Sequence, residues 1–158
     1  MNVKTVNERF TRALLETRDE KSKLDLASFD LIVDCTDNAT TRYLLSDLAV
    51  AAGVTLVSGG AVGLEGWVGV WNLPAPSSSA TLVNPSNASN GQDVTSRGPC
   101  LRCIYPQSSN DNSGNCEDDG ILGTVVGTIG LLMANEAIKL LVGLHGMSIQ
   151  ILKHAAQG

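Results

Sequence analysis

Leu31-Ile32-Val33-Asp34-Cys35-Thr36-Asp37-Asn38-Ala39-Thr40-Thr41-Arg42 is the stretch on which the reading of this chain turns. Its three leading apolar residues end in a polar cluster, the pattern of a short strand covered on both faces. That strand delivers Asp37, Asn38 and Arg42 onto a strand-to-helix turn, where open α/β sheets hold their ligands. Over residues 40–52, Tyr43, Leu44, Leu48, Ala51 and Ala52 recur at helical spacing. Asp37 or Asn38 can cap that helix by accepting first-turn N–H groups, and Gly53 stops it. Residues 54–57 form the next strand, which gives a β-α-β unit with a right-handed crossover and hence a parallel sheet.

Downstream, residues 66–72 alternate Trp67 and Trp71 with glycine and valine, and together with residues 61–64 they predict an antiparallel extension of the sheet. Residues 74–99 turn to Ser, Pro, Asn and Gly and read as a flexible surface insertion. Residues 107–119 form a second polar loop, and residues 121–141 carry the strongest helix signal, closed by Gly143. Gly123, Gly127, Gly130 and Ala134 recur there at three- and four-residue spacing, which gives one face small enough for close backbone approach. A further strand is expected over residues 148–152. Upstream, residues 2–10 alternate weakly, as an edge or parallel strand would, and residues 17–27 read as a charged, exposed helix.

The chain has 158 residues, enough for a single domain that buries about 70% of the surface its unfolded form exposes. Eleven basic against 16 acidic residues leave a charge of −5, which offers no basic footprint for direct binding of nucleic acid. Lys4, Glu8 and Arg9 interrupt the amino terminus, so nothing there resembles a signal peptide. The longest mainly apolar run, residues 121–134, is shorter than the roughly 20 residues of a membrane span, and it reads as a buried helix of a soluble protein with no membrane partner. Four cysteines, two of them in C-x-x-C, suit metal or thiol chemistry in a reducing, cytoplasmic setting.

Three clusters carry candidate chemistry. Asp34 and Asp37 bracket the strand end, where carboxylates can hold Mg2+ beside a nucleotide phosphate; the plainer alternative is that Asp37 only caps a helix and Arg42 is an ordinary first-turn arginine. Cys100-Leu101-Arg102-Cys103 has the spacing of half a structural zinc site, with a redox dithiol or a chance pair as alternatives. The remaining thiols, Cys35 and Cys116, and the two histidines, His145 and His154, lack matching spacing. Cys116 stands on a Gly- and Asp-rich loop just before the long helix, a setting for a nucleophile, although Glu117, Asp118 and Asp119 oppose its ionisation.

Taken in order, Asp34-Cys35-Thr36-Asp37-Asn38 with Arg42, Leu56-Val57-Ser58-Gly59, Glu65-Gly66, Pro99-Cys100-Leu101-Arg102-Cys103-Ile104-Tyr105-Pro106, Asn115-Cys116 with Gly120, Gly127-Thr128-Ile129-Gly130 and Glu136-Ala137-Ile138-Lys139 closely resemble the ThiF/MoeB family of ubiquitin-activating-enzyme-like adenylyltransferases. The aromatic-proline pair after the C-x-x-C and the Ser-rich insertion before it resemble the eukaryotic adenylyltransferase-sulfurtransferases that activate the small subunit of molybdopterin synthase and ubiquitin-related modifier. The resemblance spans residues 28–143.

It implies an α/β, partial Rossmann-like (ThiF-type) three-layer fold over residues 1–158, with a mostly parallel sheet plus the antiparallel extension. It further implies ATP-dependent adenylylation of the C-terminal Gly-Gly of a small ubiquitin-like modifier or sulfur carrier, leading to its thiocarboxylate, and a homodimer. By motif position, Asp37 matches the magnesium and ATP aspartate, with Asn38 and Arg42 beside the nucleotide. Cys116 matches the cysteine of a crossover loop over residues 107–119, and Cys100 with Cys103 matches the first pair of Zn2+ thiolates.

No G-x-G-x-x-G loop precedes Leu31, and no second C-x-x-C follows Cys103. The chain is therefore expected to begin inside the family domain, near its third strand, and to hold a zinc half-site. Two functional classes follow: an adenylyltransferase, or an inactive remnant that binds a modifier or dimerises through the Gly-rich helix. A NAD-dependent oxidoreductase would share the β-α-β core, but the dinucleotide glycine pattern is missing.

Overall fold

The computed structural model describes residues 3, 5–12, 25–74, 97–106 and 120–144. Most of the charged segment at 17–27, most of the insertion at 74–99, the loop at 107–119 with Cys116, the strand expected at 148–152, and His145 and His154 lie outside the described residues.

Strand β1 (Leu31–Asp34) leads into helix α1 (Ala39–Ala52), which returns the chain to β2 (Thr55–Val62) and, through Gly63 and Leu64, to β3 (Glu65–Trp71). Short helix α2 (Leu101–Ile104) and long helix α3 (Gly123–Leu141) follow. The sheet order is β1-β2-β3, with β1 parallel to β2 and β3 antiparallel to it. Leu31 pairs with Thr55 and Asp34 with Ser58, while Leu56 pairs with Trp71 and Val62 with Glu65. β2 thus runs past the predicted end at Val57, because its second half pairs with β3. Gly63, at φ 57°, meets the positive φ that a two-residue hairpin connection demands.

Side chains alternate across the sheet, so each face has its own core. Ile32, Leu56 and Trp71 pack with Ala49, Tyr43, Trp67 and Leu101 on the side of α1 and α2. Leu31, Val57, Val68 and Val70 pack with Ile129, Leu132, Met133 and Leu140 on the side of α3. The result is the three-layer α/β arrangement the sequence predicts.

Four expectations are corrected. Val33 is 46% exposed, so β1 is not covered on both faces among the described residues. Helix α3 is buried on one side only: Met133 is buried, whereas Leu131 is 75% exposed and Val126, Ile138 and Leu141 are exposed too. Though long and apolar enough to cross a membrane, α3 lays its buried side on β2 and β3. Third, its glycines do not make the close approach. A Cβ on Gly123, Gly127 or Gly130 would meet nothing within 4 Å, whereas one on Gly59 would lie 2.5 Å from Met133 Sδ and one on Gly66 would lie 2.6 Å from Ile129 Cδ1. The sheet supplies the small residues, and the helix supplies the large ones. Fourth, the described residues among 2–10 form no strand.

Candidate functional site

The site begins where β1 runs out. Asp34 occupies the last position of that strand, opposite Ser58, and is 1% exposed. Its Oδ1 accepts the Thr36 N–H at 2.9 Å and the Thr36 hydroxyl at 2.7 Å; its Oδ2 accepts the Ser58 hydroxyl at 2.8 Å. Arg42 Nη1 stands 3.9 Å from the same Oδ2. Burial of a carboxylate is unfavourable by several kcal/mol unless it is paired and hydrogen-bonded, and here it is both. Asp34 is therefore an internal anchor of the turn, and of the two carboxylates that bracket the strand end Asp37 is the exposed one.

Arg42, one turn into α1, points back over the sheet. Its guanidinium donates to the Thr36 and Gly59 carbonyl oxygens and, at 3.3 Å, to Ser58 Oγ. Its Cζ lies 5.4 Å from the centre of the Trp67 ring. Asn38 caps the helix: Oδ1 accepts the Thr41 N–H at 3.1 Å. Asp37, between Thr36 and Asn38, is exposed and is not the cap, which leaves its carboxylate at the surface of the turn. The structure brings Asp37, Asn38 and Arg42 to one strand-to-helix turn, with Arg42 behind it on the protein's own oxygens.

The thiol pair sits elsewhere, on α2, which docks against α1. The backbone of Asn72 donates to Pro99 O at 3.0 Å and Gly98 N–H to Leu73 O at 2.7 Å, which lays the chain of Cys100 beside the end of β3. Buried Ser46 accepts the Leu101 N–H at 3.2 Å, and Leu101 inserts into the core. Arg102 grips Asp47 with two bonds of 2.8 and 2.9 Å and lies 4.8 Å over the Tyr43 ring. The Tyr43 hydroxyl donates to Tyr105 O at 2.9 Å. Asp47 raises the Arg102 pKa, chiefly through that hydrogen bond.

Within this turn Cys100 Sγ and Cys103 Sγ are 3.5 Å apart, and both are free thiols. A hydrogen bond from the Cys100 backbone, then one from its side chain, lowers the Cys103 thiol pKa. Two thiolates at 2.3 Å from a tetrahedral zinc ion are about 3.8 Å apart, so the pair has the spacing of two zinc ligands. Among the described residues no three His, Cys, Asp or Glu side chains come together in a group that could hold a metal ion. Ser46 lies eight residues beyond Asn38 on α1, about 12 Å along its axis. The thiol pair and Asp37 are thus separate sites, one docked against the body of α1 and the other just before its N-cap.

Sequence reasoning missed Ser58, Ser46, Asp47, Tyr43 and Asn72. Ser58 was signalled by its place at the end of a strand parallel to β1, while the others act across the chain and left no local mark. Trp71 Nε1 is also buried, with no hydrogen-bond partner among the described residues.

The chain is similar in sequence to known proteins. The chain is 47% identical over 114 residues to adenylyltransferase and sulfurtransferase uba4 of Emericella nidulans, a match that covers 72% of this chain and 21% of that protein. It is 42% identical over 117 residues to adenylyltransferase and sulfurtransferase MOCS3 of Drosophila grimshawi, covering 73% and 21%. With adenylyltransferase and sulfurtransferase UBA4 of Eremothecium gossypii it shares 38% identity over 119 residues, covering 75% and 22%. The matched stretch therefore spans about a fifth of each relative's length. The ThiF family model matches residues 1–156, nearly the whole chain, and the chain belongs to the ThiF family.

Proposed function

We propose that this chain supplies the strand-end turn and one thiol pair of an ATP-dependent adenylyltransferase that activates the C-terminal Gly-Gly of a ubiquitin-like modifier or sulfur carrier. The activated product serves sulfur transfer, as in tRNA thiolation or molybdenum cofactor synthesis. The observation that carries the reading is the exposed Asp37 after a parallel strand, beside the Asn38 cap of the helix that also docks the Cys100–Cys103 turn.

In the proposed reaction the modifier's carboxylate attacks the α-phosphate of ATP, pyrophosphate leaves, and an acyl-adenylate results. Asp37 would hold Mg2+, which supplies charge neutralisation on the phosphates. Asn38, which caps α1, would present the helix N-terminus and its favourable dipole to the nucleotide. Arg42 keeps the turn closed from behind. Cys116 would then attack the acyl-adenylate carbonyl as a thiolate, release AMP and form a thioester. Cys100 and Cys103 would contribute two thiolates to a Zn2+ site that pins the loop after β3.

The uncovered side of α3, with Val126, Leu131, Ile138 and Leu141, supports a homodimer as part of this proposal. Free Cys35, Cys100 and Cys103 suit a cytoplasmic location. The test is isotope exchange between ATP and pyrophosphate in the presence of a Gly-Gly-terminated partner. Exchange that disappears in Asp37→Asn is expected; partner binding without exchange would move the assignment to a binding module.

A further inference from the structure

We propose that Asp34 is a positioning residue for Asp37: a buried carboxylate that, through Thr36, fixes where the exposed one points. The inference deepens the reading of Asp37 as a cation ligand and rests on it.

The side chain of Asp34 has no exposed surface, so it cannot itself meet a ligand. Its Oδ1 accepts the Thr36 N–H and the Thr36 hydroxyl, at 2.9 and 2.7 Å, which fixes the peptide before Thr36. The next peptide, which joins Thr36 to Asp37, is held from the other side, because the Thr36 carbonyl accepts from Arg42. Arg42 is in turn fixed by Gly59 O, Ser58 Oγ and Asp34 Oδ2, and Ser58 closes the ring by donating to that oxygen at 2.8 Å. Beyond Asp37, Asn38 is anchored by its own cap on Thr41.

Asp37 is thus the single residue between two fixed points. Its Cα–Cβ direction is set by groups that never touch the ligand, as supporting residues behind a binding site do. Burial obliges both Asp34 oxygens to be bonded; that the Oδ1 bonds fall on Thr36, with the Arg42 guanidinium on the carbonyl that follows, is what carries their effect to Asp37.

The experiment uses the full chain and Mn2+ alone as probe, followed by paramagnetic broadening of the amide signals of residues 36–38. Asp37→Asn is expected to abolish the broadening. Thr36→Val removes one hydroxyl without changing charge and is expected to weaken Mn2+ binding about fivefold, the effect of one hydrogen bond. Thr36→Ser retains the hydroxyl and is expected to bind like the unaltered chain. Asp34→Asn is expected to weaken binding as well, and Asp34→Asn with Thr36→Val is expected to be no weaker than Asp34→Asn alone, since both remove the same contact.

Unchanged Mn2+ binding in Thr36→Val and Asp34→Asn, with lowered thermal stability, would reduce Asp34 to a structural residue and overturn the inference while leaving Asp37 a ligand. Broadening that survives Asp37→Asn, or is missing from the unaltered chain, would overturn both the inference and the reading beneath it.

Discussion

Replacing Asn72 tests whether the layers are tied together as the structure shows. Asn72 follows β3, is 4% exposed, and has φ 55°, the left-handed region. Its Nδ2 donates to Ala49 O at 3.1 Å and to Val54 O at 2.9 Å, joining the end of α1 to the start of β2. Its backbone bonds, to Pro99 O and from Arg97 Nε, each 3.0 Å, survive a change of side chain. Asn72→Ala removes two buried hydrogen bonds at about 1 kcal/mol each and gives up asparagine's better tolerance of the left-handed region for up to about 1 kcal/mol more, roughly 3 kcal/mol in all. Asn72→Gly loses the same bonds without that strain, and is expected to be less destabilised than the alanine variant by up to about 1 kcal/mol. Asn72→Asp keeps the shape but sets a buried charge against two carbonyl oxygens, and is expected to exceed about 3 kcal/mol.

Urea unfolding followed by the fluorescence of Trp71, the adjacent residue, gives the order Asn, Gly, Ala, Asp from most to least stable. With a slope of about 2 kcal/mol/M, the alanine variant moves the midpoint by about 1.5 M. An alanine variant within about 1 kcal/mol of the unaltered chain would refute the tie, and a glycine variant less stable than alanine would refute the strain.

Other outcomes follow from single contacts. Gly59→Ala drives a Cβ to 2.5 Å from Met133 Sδ and is expected to cost about 1–3 kcal/mol, whereas Gly130→Ala meets open space within α3 and is expected to stabilise by about 1 kcal/mol; paired melting curves check the contrast. Ser46→Ala removes the hydroxyl that accepts the Leu101 N–H, and is expected to lower stability by about 1–2 kcal/mol and to weaken Cd2+ binding in the thiolate charge-transfer band. The Cys103 thiol lies below its ordinary value because hydrogen bonds from the Cys100 backbone and then its side chain favour the thiolate, so alkylation of the metal-free chain is expected to rise at a lower pH than for an ordinary thiol. The stabilisation that accompanies this depressed pKa is present above the unfolded thiol's pKa and is lost as pH falls through the folded one. Cys100→Ser should move the alkylation midpoint only part of the way up, because the larger, backbone contribution remains.

Local patterns made much of this architecture legible. The 40–52 periodicity, an Asn38 cap and the Gly53 stop correspond to α1 at Ala39–Ala52, with Gly53 at φ 68°. Alternating tryptophans and glycines mark β3, and the 121–141 signal corresponds to α3 at Gly123–Leu141. Each signal is carried within a few residues, by side-chain spacing or by a cap. Weak alternation over residues 2–10 had no such support, and no strand forms among its described residues. Which side of the sheet–helix contact is small was also hidden, since Gly59, Gly66 and the α3 glycines look alike in sequence and differ only in what stands opposite them.

By itself the sequence determined the succession β1-α1-β2-β3 and the later α3, the α/β class, the strand-end turn and the ordered motifs that mark the ThiF family. Tertiary structure alone decided that Asp34 is buried and Asp37 exposed, that Arg42 turns back onto Thr36 and Gly59, and that Cys100 and Cys103 are docked by Ser46 and Asp47. The physical reason is separation along the chain. Asp34 meets Ser58 across 24 residues, and Leu101 meets Ser46 across 55, so the fate of each polar group depends on a partner that only folding brings within hydrogen-bond reach.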